Sequence, residues 1–208
     1  MGRYTGPLCK LCRREKTKLF LKGEKCDKNC VIDRIKQKGK SGQSRQKRMV
    51  KLSEYAKRLH EKQKMKHMAG LTEEQFRNYY RQALKMPGMT GEQLLLLVET
   101  RLDSVLHRLG FAPSKRFARQ LVTHRHITVN DRIMKFAGYR VKPGDKIKLR
   151  ESVHENPVIK KSLEKDIESP SWLSVDKTNF AAEVLSVPSR SEISYPIDET
   201  LIVELYSR

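Results

Sequence analysis

The sequence predicts an α+β protein, and three observations lead to that prediction. Residues 53–123 show helical periodicity with capping signals, residues 127–149 show strand alternation around a tight turn, and the first 50 residues are basic with little periodicity. We expect a basic N-terminal arm (1–50), a helical domain (51–98, completed by about 190–208) and an inserted small α+β module (99–189). The module would contain two helices and a hairpin, after which the C-terminal segment would return to the helical domain.

Capping residues set the bounds of the helical domain. Ser53 is a good N-cap and Gly70 a good C-terminal stop. Thr72 opens a second helix with Gln75 as its capping-box partner, and Pro87 breaks it. This helix carries three aromatic side chains at helical spacing, Phe76, Tyr79 and Tyr80. They could stack on bases, but the spacing favours a place in the core.

A leucine-rich stripe leads from the helical domain into the inserted module. A single helix is predicted from Thr90 to the stop at Gly110, and Ser114 caps the next, short helix. A hairpin with a two-residue Asn130-Asp131 turn follows, and then an alternating strand at 146–149. Beyond residue 151 the signals weaken. A helix is predicted near 158–168 and a β segment at 201–205.

The charge distribution points to a polyanionic partner. The chain has 208 residues, a formal net charge of +20 and 44 Lys and Arg. Its last 58 residues are acidic, so the excess lies in the first 150. Charge of this size opposes compaction unless a polyanion offsets it, although a merely solvated basic surface is an alternative. Long apolar runs and a signal-peptide core are lacking, so we expect a cytoplasmic protein without a membrane span.

Four cysteines lie close together in the N-terminal arm. Their spacing is Cys9-x2-Cys12-x13-Cys26-x3-Cys30, which suits one structural zinc ion held by four thiolates with no position left for a catalytic water. Neighbouring Lys and Arg residues should lower the thiol pKa values. Four free thiols and an iron–sulfur cluster remain as alternatives.

A second basic set occupies the short helix after Ser114 and the hairpin. We expect these residues to bind RNA phosphates, since Arg and Lys at helical spacing position a protein on a nucleic acid backbone. A-form RNA hides its major groove, so recognition should depend on shape and backbone. The set comprises Lys115, Arg116, Arg119, Gln120, His124, Arg125, His126, Arg132, Arg140 and Lys142. Lys115, Arg116 and Arg119 should share one side of the helix.

The histidines also invite a catalytic interpretation. His107, His124 and His126 have no carboxylate partner at a useful spacing, so we set catalysis aside.

Distinctive motifs run along essentially the whole chain: CKLCRRE, LFLKGEKC, SEYAKRLHEKQK, EEQFRNYY, ARQLVTHRHITVN, YRVKPGD and LIVELYSR. In sequence and in order they resemble those of the bacterial small-subunit ribosomal protein S-four family in its zinc-bearing form. Residues 101–149 also resemble the small RNA-binding module named after that protein, which recurs in pseudouridine synthases and tyrosyl-tRNA synthetases.

The resemblance implies a non-enzymatic ribosomal protein. Family members bind 16S rRNA early in assembly as primary binders and line the mRNA entry channel beside ribosomal proteins S-three and S-five, where they influence accuracy. It assigns the entry-channel role to Arg45, Lys47, Arg48 and Lys51. It also moves part of the expected rRNA contact to residues 1–58, where we select Arg3, Arg13, Arg14, Lys57 and Arg58. No homo-oligomer is expected.

The sequence departs from the family pattern in two turns. The family's GQHG turn appears as Gly42-Gln43-Ser44-Arg45, and the hairpin turn ends in Asp131 instead of Gly. Aspartate tolerates positive φ less well than glycine, so the hairpin turn is either strained or of another type.

Other functions fit the sequence less well. An RNA-modifying enzyme or an RNA chaperone with the same module is the alternative, but residues 151–208 show no catalytic signature. A DNA regulator would need a dimer interface and a helix presenting base-reading side chains, and neither is evident.

Overall fold

The computed structural model describes residues 4–38, 52–164, 169–193 and 195–207. The chain divides into two compact units. The first unit comprises Met1–Asn78 and Tyr195–Arg208, and the second comprises Tyr79–Ser194. The further division of the first unit into an arm and a helical domain stays a prediction.

Helices and strands are both present, as an α+β protein requires. The helices are α1 (Leu8–Glu15), α2 (Glu24–Lys28), α3 (Val31–Lys38), α4 (Glu54–Ala69), α5 (Glu73–Ala83), α6 (Thr90–Glu99), α7 (Leu102–Arg108), α8 (Lys115–Thr123), α9 (Pro157–Leu163) and α10 (Glu199–Tyr206). The strands are β1 (Ile127–Val129), β2 (Arg132–Met134), β3 (Lys146–Leu149), β4 (Leu173–Asp176) and β5 (Ala181–Val184). Among the described helices, none is long and apolar enough to cross a membrane.

The predicted caps of the helical domain are confirmed. The Ser53 hydroxyl accepts a hydrogen bond from the Ala56 amide at 3.2 Å. Gly70 ends α4 with φ 63°, a left-handed conformation that glycine adopts without strain. Thr72 and Gln75 exchange the two bonds of a capping box, at 3.2 and 3.3 Å. Side-chain oxygens thus satisfy amides that helix starts leave unpaired.

Helices also fill most of the described N-terminal region, where we predicted little regular structure. Leu11 and Leu19 form a small core with Cys12 and Ile32. Buried apolar contacts of this kind stabilise short helices that would be marginal alone. Residues 36–51 contain no Asp or Glu, and this composition predicts an extended arm. Residues 36–38 instead belong to α3, and residues 39–51 lie outside the described part.

The predicted β segment at 201–205 is wrong, because these residues lie in α10. Asp198 caps this helix by accepting the Thr200 amide at 3.0 Å. Ile202 is fully buried, and the Tyr206 ring stacks on Phe76 at a centroid distance of 6.4 Å. A short apolar run fits a strand or a buried helix equally well by pattern, and here packing decides for helix.

The second unit contains a five-stranded antiparallel sheet in the order β2-β1-β3-β5-β4. One sheet face packs with α7 and α8 in a single core that includes Phe111, Ile147 and Trp172. Along β3 the side chains alternate, so that Lys146 and Lys148 are exposed on the other face. The α9 helix ends at Leu163, and residues 165–168 of the predicted helix lie outside the description.

The Asn130-Asp131 hairpin turn is confirmed. Both residues have positive φ, 50° and 61°, the conformation that a type I′ turn needs. The Asn130 side chain accepts from the Lys146 amide at 2.9 Å and donates to Asp145 at 2.8 Å. These bonds tie the turn to β3 and hold two non-glycine residues in a left-handed conformation.

The single helix predicted for residues 90–110 is interrupted. Thr100 and Arg101 separate α6 from α7, and Arg101 is extended, with φ −70° and ψ 141°. Its backbone pairs with Arg140, and its buried side chain pairs with Asp103. The helix stops because Arg101 takes part in these contacts, although the apolar stripe continues past it.

Candidate nucleic-acid interface

Helix α8 presents one apolar side and one polar side. The Ser114 hydroxyl accepts the Phe117 amide at 3.3 Å and so fixes the helix start, as predicted. Ala118 and Leu121 are buried in the core of the second unit, whereas Arg116 and Gln120 are exposed. Arg119 is partly buried. The helix therefore offers polar side chains to a partner from a rigid position.

Lys115 does not share the exposed side that the sequence predicted for it. Its ammonium donates to the Ser104 hydroxyl at 3.0 Å and lies 3.7 Å from the Glu99 carboxylate, which also pairs with Arg108. Burial lowers the pKa of Lys115, and the nearby Glu99 charge opposes that shift. Glu99 is buried and needs counter-ions, so the charge of Lys115 is used within the fold.

The end of α8 is a tight turn centred on Arg125. The Arg125 amide donates to Val122 O at 2.9 Å, and the His126 amide donates to Leu121 O at 3.0 Å, which is the bonding pattern of a Schellman motif. Arg125 has φ 64°, where glycine is usual. An exposed arginine is thus held rigidly at a strained position, and such strain often marks a functional contact.

Two histidines flank Arg125. The His124 and His126 rings lie 6.1 Å apart, and a buried nitrogen of His126 has no partner among the described groups. Burial lowers the pKa of His126, and the neighbouring His124 and Arg150 lower it further. Arg150, which is not among the predicted RNA contacts, thus lies close to this turn.

The loop between the hairpin and β3 brings further cations to the same unit. Arg140 and Lys142 are exposed on either side of the buried Val141. Buried Asp145 fixes this loop by accepting the Lys142 amide at 2.8 Å and the Tyr139 hydroxyl at 3.2 Å. The arrangement is rigid, as a phosphate-binding surface requires.

Sequence reasoning missed several exposed cations of the second unit. They are Lys135, Lys146, Lys148 and Arg150. The alternation Lys-Ile-Lys-Leu in β3 was a usable signal, since period-two patterns expose every second residue. Lys148 also pairs with the exposed Asp131 at 3.2 Å, a contact that contributes little in water.

Predicted RNA contacts of the first unit fall into three groups. Arg13 and Arg14 are exposed on α1. Lys57 and Arg58 instead pair within the unit, with Glu54 and Glu204 respectively, each at 2.7 Å. The remaining predicted contacts lie outside the described residues: Arg3, Arg45, Lys47, Arg48 and Lys51.

None of the four cysteines forms a disulfide, and Cys12 and Cys26 are buried. Cys12 interacts electrostatically with the other three, so all four lie in one region. The Lys22 amide donates to Cys26 Sγ at 3.3 Å. As arranged, however, no group of three or more His, Cys, Asp or Glu side chains in the described ranges could hold a metal ion.

The expectation of lowered thiol pKa values is wrong for the two buried cysteines. Burial raises the pKa of both Cys12 and Cys26, and the negative charge of neighbouring cysteine thiolates, with that of Asp27 for Cys26, raises it further. Backbone amide bonds oppose the shift. Desolvation outweighs the nearby lysines and arginines because those cations are mostly exposed and screened by water.

Family models cover two adjacent stretches of the chain. Residues 3–99 match the model described as ribosomal protein S4/S9 N-terminal domain, and residues 100–147 match the S4 domain. Together with the basic helix and hairpin, these matches define a ribosomal protein built around an S4 domain.

Full-length relatives are similar to the chain from end to end. Small ribosomal subunit protein uS4 of Endomicrobium trichonymphae is 52% identical, that of Natranaerobius thermophilus 50% and that of Thermus thermophilus 46%, each over 100% of both chains. The chain belongs to the uS4 family of small-ribosomal-subunit proteins. This family consists of structural ribosomal proteins, so the chain is not an enzyme.

Proposed function

We propose that this chain is a structural constituent of the small ribosomal subunit in the cytoplasm, and that it binds 16S rRNA as a primary binder that nucleates folding of the 5′ domain. The observation that supports this proposal most strongly is a set of exposed cations on well-anchored elements of the second unit. It combines Arg116 on α8, Arg125 at the strained turn and Arg140 and Lys142 beside the hairpin. Fixed, exposed cations of this kind suit phosphate oxygens of a folded RNA.

Sedimentation tests this proposal. The native protein should remain with the 30S particle in high salt, and the purified protein should bind naked 16S rRNA before other ribosomal proteins are added. A protein that stays free of the particle would contradict the structural role. A protein that joins only after other proteins have bound would contradict the primary role.

We further propose contacts with mRNA at the entry channel and with ribosomal proteins S-five and S-three. This role rests on the family resemblance and on the basic residues Arg45, Lys47, Arg48 and Lys51. Replacing Arg48 and Lys51 with glutamine should slow translation of structured mRNA more than it slows assembly. If only assembly suffers, the entry-channel role is wrong for this chain.

We infer that the four cysteines hold one structural zinc ion. Four sulfur ligands in two close pairs suit tetrahedral zinc, and the shared location and amide-to-sulfur bond support the fit. Binding would require the thiols to draw closer together than they now lie. Metal analysis should find about one equivalent of zinc per chain, as a single four-thiolate site requires, and Cys12→Ser should abolish it. Four freely reactive thiols in a protein without metal would rule out the proposed zinc site.

A further inference from the structure

Phe20 is held in an unusual conformation on the loop between the two cysteine pairs. Its φ is 51°, in the left-handed region, and its side chain is 52% exposed. A bulky aromatic residue rarely adopts positive φ, and a half-exposed ring contributes little hydrophobic stabilisation to the fold. The fold therefore keeps a strained aromatic ring in water.

Local packing does not explain the position of this ring. Leu19, directly before it, is 3% exposed in the small core with Cys12, and Leu21, directly after it, packs against the same core. The apolar neighbours on both sides thus turn inward while Phe20 stays outside.

The loop that carries the ring is rich in cations. Lys18 Nζ lies 5.3 Å from the ring centroid and is fixed there by Asp33 at 2.9 Å. Of the two carboxylates in the loop, Glu15 is buried and Glu24 pairs with Lys28. The exposed cations of the same stretch are Arg13, Arg14, Lys16, Lys22 and Lys25. One lysine beside the ring and several exposed cations on the same loop, with no exposed unpaired carboxylate on that loop, favour a nucleic acid over a protein partner.

We propose that Phe20 is a stacking platform for an unpaired base of 16S rRNA. The ring takes the base while the surrounding cations take the adjacent phosphates, the combination by which proteins hold single-stranded nucleotides. This inference rests on the proposed rRNA binding and adds a residue and a ligand chemistry to it.

Binding of the full chain to 16S rRNA tests the platform with three variants. Phe20→Ala should bind roughly 5- to 100-fold more weakly, the range for losing one base–aromatic stack, with an unchanged salt dependence because no phosphate contact is lost. Phe20→Leu keeps apolar bulk without a ring and should weaken binding similarly. Phe20→Trp keeps an aromatic ring and should bind like wild type. Equal affinity of Phe20→Ala and wild type would overturn the proposal.

Two further outcomes separate this inference from the proposed function. If wild-type protein fails to bind 16S rRNA, rRNA binding itself is wrong. If Phe20→Ala binds naked rRNA normally but is lost from the 30S particle, the ring contacts a ribosomal protein and the stacking role is wrong. Thermal unfolding of each variant controls for stability. Phe20→Leu with an unchanged melting temperature but full affinity would also overturn the proposal.

Discussion

Arg101 and Asp103 form a two-pronged ion pair inside the second unit, with Nε–Oδ1 at 3.0 Å and Nη2–Oδ2 at 2.6 Å. Both residues are at most 3% exposed. Arg101 also donates to the Tyr79 hydroxyl at 2.6 Å. This pair fixes the break between α6 and α7.

Arg101→Leu should destabilise the protein by about 3–5 kcal/mol, because it leaves the Asp103 carboxylate buried without a counter-ion. Adding Asp103→Leu should recover much of the loss, since two apolar residues bury no charge. Tyr79→Phe should cost less, about 1.5–3 kcal/mol, the range for a hydrogen bond to a charged group. Urea denaturation measures the stability of all three variants. An Arg101→Leu variant as stable as wild type would contradict the prediction.

Arg116 is the exposed cation of α8 on which phosphate binding should depend most directly. Arg116→Gln should weaken binding to 16S rRNA and reduce the slope of log affinity against log salt by roughly 0.7–0.9, as loss of one phosphate contact requires. Lys160→Gln is a matched control. It also removes one positive charge, but from a lysine on α9 that already pairs with Glu155. Equal slopes for wild type and Arg116→Gln would show that Arg116 touches no phosphate.

Arg125 allows strain and binding to be separated. Arg125→Gly should stabilise the protein by roughly 1 kcal/mol, because glycine adopts φ 64° without the left-handed penalty. Arg125→Ala keeps the penalty and should not stabilise. Both variants should bind rRNA more weakly to a similar extent. If the glycine variant is more stable and binds fully, the arginine has no role in recognition.

Stability should fall in acid partly through His107. Burial lowers the pKa of His107 to about 4, and the nearby charges of Lys115 and Arg108 add to this effect. The unfolded chain takes up a proton near pH 6.5, so the contribution of His107 is complete above that pH and is lost as the pH falls toward 4.

This loss should amount to about 2–3 kcal/mol between pH 7.5 and 4.5. His107→Leu should lose correspondingly less stability over the same range. Unfolding of both proteins at the two pH values measures the difference, to which other titrating groups contribute equally. An identical acid loss in both proteins would rule out the assignment to His107.

Helix caps and turns were predicted correctly where neighbouring residues are enough to form them. Ser53, Thr72, Ser114 and the Asn130-Asp131 turn each act through hydrogen bonds within a few residues or through their own φ values. The aromatic residues Phe76 and Tyr80 were also placed correctly in the core. Caps and turns can be predicted because they act locally, and apolar periodicity shows which side of a helix is buried without showing what covers it.

Features that depend on distant partners escaped prediction. Lys115 turns inward because Glu99, sixteen residues earlier, is buried and requires cations. Residues 201–205 form a helix because α10 packs with α4, with Arg58 paired to Glu204. Arg150 lies beside His126 through the pairing of β1 with β3. No local pattern carries these tertiary relationships.

The packing of α10 with α4 also sets the order in which the protein can fold during its synthesis. Every residue of the second unit, Tyr79–Ser194, emerges from the ribosome before α10 does. The first unit begins earlier, but α4 cannot complete its packing until α10, with Ile202 and Glu204, has been synthesised. The Arg58–Glu204 pair joins residues that are 146 positions apart in the chain. The unit whose synthesis starts first is therefore completed last, and until then α1, which carries Cys9 and Cys12, packs on an α4 that is only partly covered.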